Sequence, residues 1–270
     1  MTMNEIDERL AANRYLSVAI ILLLIASAAG GLLVNDLYRD SNFIKAAWYA
    51  NDWISLVVAV PLLIASTILY LKRSARGMMV WLGSMLYVFY NFAFYLFGAA
   101  FNWFFLIYVS LFALSLYALI LGLLHFNSDR TLQPSISSKS VRIMVAIFLL
   151  FIAFSLGIVE VVQCFNFIIN GTLPEVPTLI FALDLSLVVP ACILAAVLLL
   201  KKNTWGAVLA MMMLVKSFIY GMVLVTGTIL VVFRKTAGWD PLMPFYAFVA
   251  LGGLILGIML LRNLKHENLD

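Results

Sequence analysis

The sequence predicts an all-α membrane bundle of eight transmembrane helices, and three observations carry that prediction. Mean hydropathy is +1.08, and 65% of the 270 residues are hydrophobic while 11% are charged, against about a quarter charged in ordinary soluble proteins. Several apolar runs exceed the ~18–20 residues that cross ~30 Å of hydrocarbon, and their unbroken apolarity lacks the alternation of an outer-membrane barrel. Lys and Arg gather in the turns between those runs. The net charge of +4 therefore reports topology, and no nucleic-acid partner is expected.

Taken in order, residues 1–14 are polar with mixed charge, and the first span runs from Tyr15 to Val34. Ala26, Ser27 and Ala28 resemble a signal-peptidase site. The leader lacks net positive charge, however, and the run is long for a signal peptide, so the segment is read as a retained span. A loop with Asp36, Arg39, Asp40 and Lys45 precedes the second span, about Asn51 to Leu71. The basic turn at 71–77 leads to the third, Gly77 to about Gly98, and a very short turn to the fourth, Trp103 to about Phe126. Residues 127–140, rich in Ser with Pro and charge, mark a linker. The fifth span is Val141 to about Val162, the sixth about Thr178 to Leu200, the seventh Trp205 to about Phe233 and the eighth Phe245 to about Leu261, before a charged tail.

Eight spans put both ends on one side. Of the seventeen Lys and Arg residues, twelve fall on the side of the termini and four on the other, with Lys216 inside a span. That bias predicts cytoplasmic termini. Cys164 and Cys192 form no redox or metal motif, and neither a disulfide nor a cofactor is expected.

An offset of 129 residues lays Pro61 on Pro190, Lys72 and Arg73 on Lys201 and Lys202, Gly77 on Gly206 and Gly98 on Gly227. At a slightly larger offset Ile120, Leu121 and Gly122 match Ile255, Leu256 and Gly257. The expected organisation is a four-helix repeat over residues 1–126, the linker 127–140 and a second repeat over 141–270, in the same orientation because each has an even number of spans. The overlay also sets Asp184 on Ser55, Glu160 on Gly31 and Lys216 on Tyr87. The charges belong to the second half.

A central Lys or Asp in hydrocarbon costs ~2.5–3.5 kcal/mol on insertion scales, which makes such a residue a candidate functional site. At ~1.5 Å per residue, Lys216 lies about 16 Å into its span and Asp184 about 9 Å into its own. Side chains lean toward their helix N-termini, so the two diverge and meet only through the long lysine stem or an intermediary. Tyr87, Asn91, Phe94, Tyr95 and Gly98 share one helical face, and Lys216, Tyr220, Val223, Leu224 and Gly227 share another. Packing alone also accounts for such stripes, with the glycines admitting close approach. Asp52 and Glu160 fall at span ends and are expected to be hydrated. His125 and His266 have no ligand-spaced partner, so no metal site is expected. Pro61 and Pro190 are expected to kink their spans. A retinal Schiff base does not fit, because Lys216 is not on the last span and Met212, not an acid, stands four residues before it.

The stretches NDWISLVVAVP (51–61), YNFAFYLFGAAFN (90–102), ALDLSLVVP (182–190) and LVKSFIYG (214–221) resemble an uncharacterised family of prokaryotic multi-pass membrane proteins over most of the chain. The resemblance implies a cell (inner) membrane and no particular activity. The residues themselves support a small-molecule or ion transporter or binding protein, with Lys216 contacting an anionic or carbonyl group. Asp184 would be the counter-charge or proton acceptor, and Tyr87, Tyr90, Asn91 and Tyr220 would line the cavity. A non-transporting sensor or a subunit of a larger complex, self-associated or with a partner, stays open. So does a lipid-modifying enzyme, which the absence of any nucleophile and base pair disfavours.

Overall fold

The apolar runs fold into eight helices, each long and apolar enough to cross a membrane: α1 (Met3–Leu33), α2 (Asn42–Leu71), α3 (Ala75–Phe97), α4 (Phe105–Ser128), α5 (Lys139–Asn170), α6 (Thr178–Leu200), α7 (Thr204–Phe233) and α8 (Met243–Arg262). The computed structural model describes residues 3–129, 132, 134–136, 138–173 and 177–266. The eight spans stand where hydropathy puts them, but several ends move. α1 takes in most of the polar N-terminal segment, where Asp7 forms an ion pair with Arg73 and Arg9 donates to Leu124 O at 3.0 Å and Ser128 Oγ at 3.1 Å. α2 starts nine residues earlier than the apolar run, at a cap in which Ser41 Oγ accepts from Ile44 N. α5 continues eight residues past Val162 and stops at Gly171, whose φ of 68° is the left-handed conformation that glycine adopts freely at a helix end.

The helices close two rings. In the first, α1 packs on α2, α2 on α3, α3 on α4 and α4 on α1; in the second, α5 packs on α6, α6 on α7, α7 on α8 and α8 on α5. Between the rings α3 meets α7, the first half of α2 meets α7 and the start of α6 meets α3. α3 and α7 are accordingly the most enclosed spans, 78% and 67% buried over their most apolar stretch, while the outer helices turn apolar faces outward. The linker and tail, expected as plain polar connections, include a short antiparallel pair, β1 (Pro134–Ile136) with β2 (Leu264–His266).

The kinks expected at the two prolines take the form of π-bulges. Ser55–Ala59 in α2 and Asp184–Val188 in α6 are π-helical, and the peptide N–H of Val60 and of Val189 reaches back five residues, to Ser55 O and Asp184 O. Pro61 and Pro190 stand just after. A proline has no N–H and its ring clashes with the carbonyl four residues back; one extra residue in the preceding turn relieves both, and such bulges gather at functional sites. The hairpins that follow also correspond. Arg73 and Lys202 take positive φ, 57° and 59°, and Ser74 and Asn203 cap the next helix with their side chains. Gly77 and Gly206 leave no room for a Cβ against the backbone of residues 69–70 and 198–199.

His125, placed by sequence at the end of a span, is fully buried, with Nδ1 2.5 Å from Tyr70 Oη, which also accepts from Asn13 Nδ2 at 2.9 Å. Of the two stripe glycines expected to admit close helix approach, Gly98 does so, since a Cβ there would come within 3.0 Å of Leu179 Cδ2 on α6, but Gly227 does not. A Cβ at Gly227 would meet Ala50 Cβ at an ordinary 3.7 Å, whereas one at Gly221 would meet the Ala250 backbone at 2.8 Å. Gly221→Val should therefore wedge α7 from α8 and cost ~1–3 kcal/mol, and Gly227→Ala should stay within ~0.5 kcal/mol of wild type. Thermal unfolding in detergent checks both; equal midpoints for the two variants would contradict the packing described.

Candidate functional site

α7 crosses the centre of the molecule, and its lysine has nowhere wet to go. Lys216 is 6% exposed, and its Nζ lies over the Tyr90 ring, 3.7 Å from the centroid, and 5.0 Å from that of Tyr220. Tyr90 and Tyr220 meet edge to face at 5.1 Å, and Phe94 stacks on Tyr220 at 6.0 Å. Two aromatic faces thus lie beside the amine, with Phe94 stacked on the second. A desolvated cation over an aromatic face gains ~2 kcal/mol or more, enough to offset much of the insertion cost.

Asp184 is 7% exposed at the first position of the π-bulge in α6, and Tyr90 Oη donates to its Oδ1 at 2.5 Å. Among the described residues no carboxylate oxygen lies within 4.0 Å of Lys216. The two charges anticipated as a pair are joined through Tyr90, which offers its face to the ammonium and its hydroxyl to the carboxyl. At the matching positions of the first ring, Ser55 Oγ and Tyr87 Oη lie 3.0 Å apart, a neutral hydrogen bond where the second ring has Asp184 and Lys216.

A cavity of about 130 Å³ opens beside Lys216, lined also by Tyr90, Leu86, Leu187, Val188 and Met212. Its wall is apolar, so it is the carbon of the Lys216 and Tyr90 side chains that faces it. Methionine in such a wall adapts to the shape of what enters. Asn91, on the same helix as Tyr90, is 1% exposed, and among the described residues neither of its amide atoms has a hydrogen-bond partner.

Two acids expected to be hydrated are not. Glu160 is 6% exposed because α5 runs on to Asn170 and leaves it ten residues from the helix end. Its carboxyl faces Asp184 and lies within electrostatic reach of Lys216, and among the described residues its Oε2 has no hydrogen-bond partner. The signal was present in the sequence: after Glu160 apolar residues continue with no Gly or Pro before Gly171. Asp52 is 2% exposed beneath the α1–α2 loop, accepting from Tyr38 Oη at 2.5 Å and Tyr95 Oη at 3.0 Å. That loop is held down by Asp40, which accepts from Trp48 Nε1 and from Ala100 N, each at 3.0 Å. Gly31 makes the room, since a Cβ there would overlap Asp52 and Tyr38. Burial, then the neighbouring Asp52 carboxyl, pushes the Tyr38 phenol well above its ordinary range, so it remains a donor. Among the described residues no three His, Cys, Asp or Glu side chains converge as a metal site would require.

If Tyr90 is the bridge, Tyr90→Phe keeps the ring under Lys216 but strips Asp184 of its donor, and should cost ~1–3 kcal/mol. Tyr220→Phe, which removes no hydrogen bond to Asp184, should cost clearly less. Reversible unfolding in detergent measures the difference, and equal losses would count against the bridge. Comparison with protein-family models, curated proteins and solved structures found no match, so the function is read from the site's own chemistry.

Proposed function

We propose that the chain is a membrane carrier or binding protein for a small molecule that places an anionic or carbonyl oxygen on Lys216. The observation that carries this reading is that the Lys216 amine rests on aromatic faces while the carbon of its side chain lines a cavity, with no carboxylate oxygen within 4.0 Å among the described residues. An ammonium has three N–H donors, and ring faces take up its charge without supplying acceptors to them. A ligand oxygen in the cavity would. Asp184, one phenol away, compensates the charge without occupying the donors. Tyr90 lines the cavity with Lys216, whereas Tyr220, Tyr87 and Asn91 do not reach its wall; Tyr220 offers its ring to the lysine.

The architecture belongs to the same proposal. The two π-bulges, the left-handed basic residues, the helix caps and the tight glycines recur at a spacing of 129 residues, and both rings close through the same helix order. These correspondences support a duplicated four-helix unit with both repeats in one orientation, so that α3 and α7 are counterparts across an axis along the membrane normal. The Lys and Arg bias supports an inner membrane with both termini cytoplasmic.

Native mass spectrometry on gently purified wild type and Lys216→Met tests the reading, since methionine keeps most of the apolar stem and removes the charge. The expected result is a small-molecule adduct on wild type that is lost in the variant at equal folding. An adduct retained with unchanged affinity in Lys216→Met would remove the lysine from the site.

A further inference from the structure

The loop between α1 and α2, at the end of the bundle opposite the termini, borders a second and larger cavity. It measures about 580 Å³, and its lining includes Val34, Asp36, Tyr38, Arg39, Lys45 and Trp103. That volume falls within the ~300–1,000 Å³ of small-molecule sites, and the lining presents polar as well as apolar surface. The fold holds this wall in place. Leu37 and Tyr38 are each 2% exposed, Tyr38 Oη donates to the buried Asp52, and Asp40 accepts from Trp48 Nε1 and Ala100 N. Arg39 stands between two of those tethers, and Lys45 stands in the first turn of α2, behind the Ser41 cap.

Arg39 and Lys45 bring positive charge to the cavity and Asp36 brings negative charge, yet they do not pair across it. No nitrogen of either cation lies within 4.0 Å of an Asp36 oxygen, and among the described residues none of the three side chains has a hydrogen-bond or ion-pair partner. Arg234, at the same end of the bundle, already rests on the Tyr49 ring at 4.1 Å. Opposite charges that line one cavity and stay apart leave room for a molecule carrying both. The surroundings say what else that molecule carries. Trp103 is 83% exposed, as are most of Leu33 at 79% and Leu106 at 75%, next to the lining residues in sequence. An outward Trp at a span end marks the headgroup level, and outward leucines beside it meet acyl chains.

We propose that this cavity binds the headgroup of a phosphoethanolamine lipid in the leaflet opposite the termini, with its phosphate on Arg39 and Lys45 and its primary ammonium on Asp36. The proposal is independent of the Lys216 reading. A guanidinium offers paired N–H donors to phosphate oxygens and the lysine adds a point charge. A primary ammonium has three N–H donors for a carboxylate, whereas a trimethylated one has none. The apolar chains then follow the outward faces of α1 and α4 at Leu33 and Leu106.

The experiment is native mass spectrometry of purified protein mixed with phosphatidylethanolamine, phosphatidylcholine and phosphatidylglycerol of identical chains. Wild type should retain phosphatidylethanolamine in preference to the other two, and the double variant Arg39→Gln, Lys45→Gln should lose roughly tenfold in affinity for it. Asp36→Asn should weaken phosphatidylethanolamine about threefold without weakening phosphatidylglycerol. Equal retention of the three lipids by wild type would overturn the headgroup assignment, and so would unchanged phosphatidylethanolamine binding in the double variant. Soluble glycerophosphoethanolamine, added in about a hundredfold excess, separates the two sources of this headgroup. The lipid should stay bound; its displacement would overturn the lipid source in favour of the free phosphodiester. The three side chains have no partners to lose among the described residues, and the ranking of lipids on wild type needs no variant to fold.

Discussion

A charged side chain at mid-membrane must find its solvation inside the protein. The interior of this molecule is arranged around how Lys216 meets that demand. Tyr90 and Tyr220 give the ammonium their faces, and Tyr90 alone relays its influence to a carboxyl, because its hydroxyl is bonded to Asp184. Water would serve such a charge indifferently. Here the phenol holds both partners at fixed separation, so neither charge is neutralised by contact and neither is left bare.

The backbone delivers this geometry through a proline device. Pro190 cannot follow an unbroken α-helical turn without strain, and the π-bulge before it begins at Asp184, rotating that residue relative to a regular helix. In α2 the same device ends at Pro61 and begins at Ser55, which meets Tyr87 instead of a charge. The two bulges show that this backbone feature tolerates either chemistry. At this position of the bulge α6 carries an acid where α2 carries a serine, so the bulge itself does not require a charge.

Hydropathy made the number and approximate position of the spans legible, since nothing but membrane crossing accounts for eight such runs. It was silent about how far each helix continues beyond the hydrocarbon, because helix length is set by capping and tertiary contacts as well as by apolarity. That gap produced the one consequential misplacement. With α5 ended at Val162, Glu160 reads as an interfacial acid; with α5 carried to Asn170, it belongs to the charged cluster. Asp52 was obscured for a different reason, because the loop that buries it is tied down by Asp40 to residues 8 and 60 positions away. Lys216, Asp184 and Tyr220 stood out in the sequence by depth and helical face, whereas Tyr90 was named with them although it lies outside the stripe of Tyr87, Asn91, Phe94 and Tyr95. The role of Tyr90 as the bridge was not legible, since it depends on which helix face meets which neighbour.

The two buried acids separate structure from chemistry. Asp52 receives two phenolic hydroxyls, and a loop closes over it. Its hydrogen bonds tie α2, α3 and the loop together. Asp184 receives one hydroxyl, faces a second carboxyl whose Oε2 has no partner among the described residues, and looks through Tyr90 to a lysine whose side-chain carbon lines a cavity. Incomplete satisfaction in a low-dielectric interior costs stability, so a fold that already solves the problem with phenols at Asp52 has no structural reason to leave it open at Asp184. Buried polar atoms without a partner among the described residues also occur far from the cavity, at Asn13 Oδ1 and Ser27 Oγ, so what sets Asp184 apart is its place one phenol away from a buried lysine.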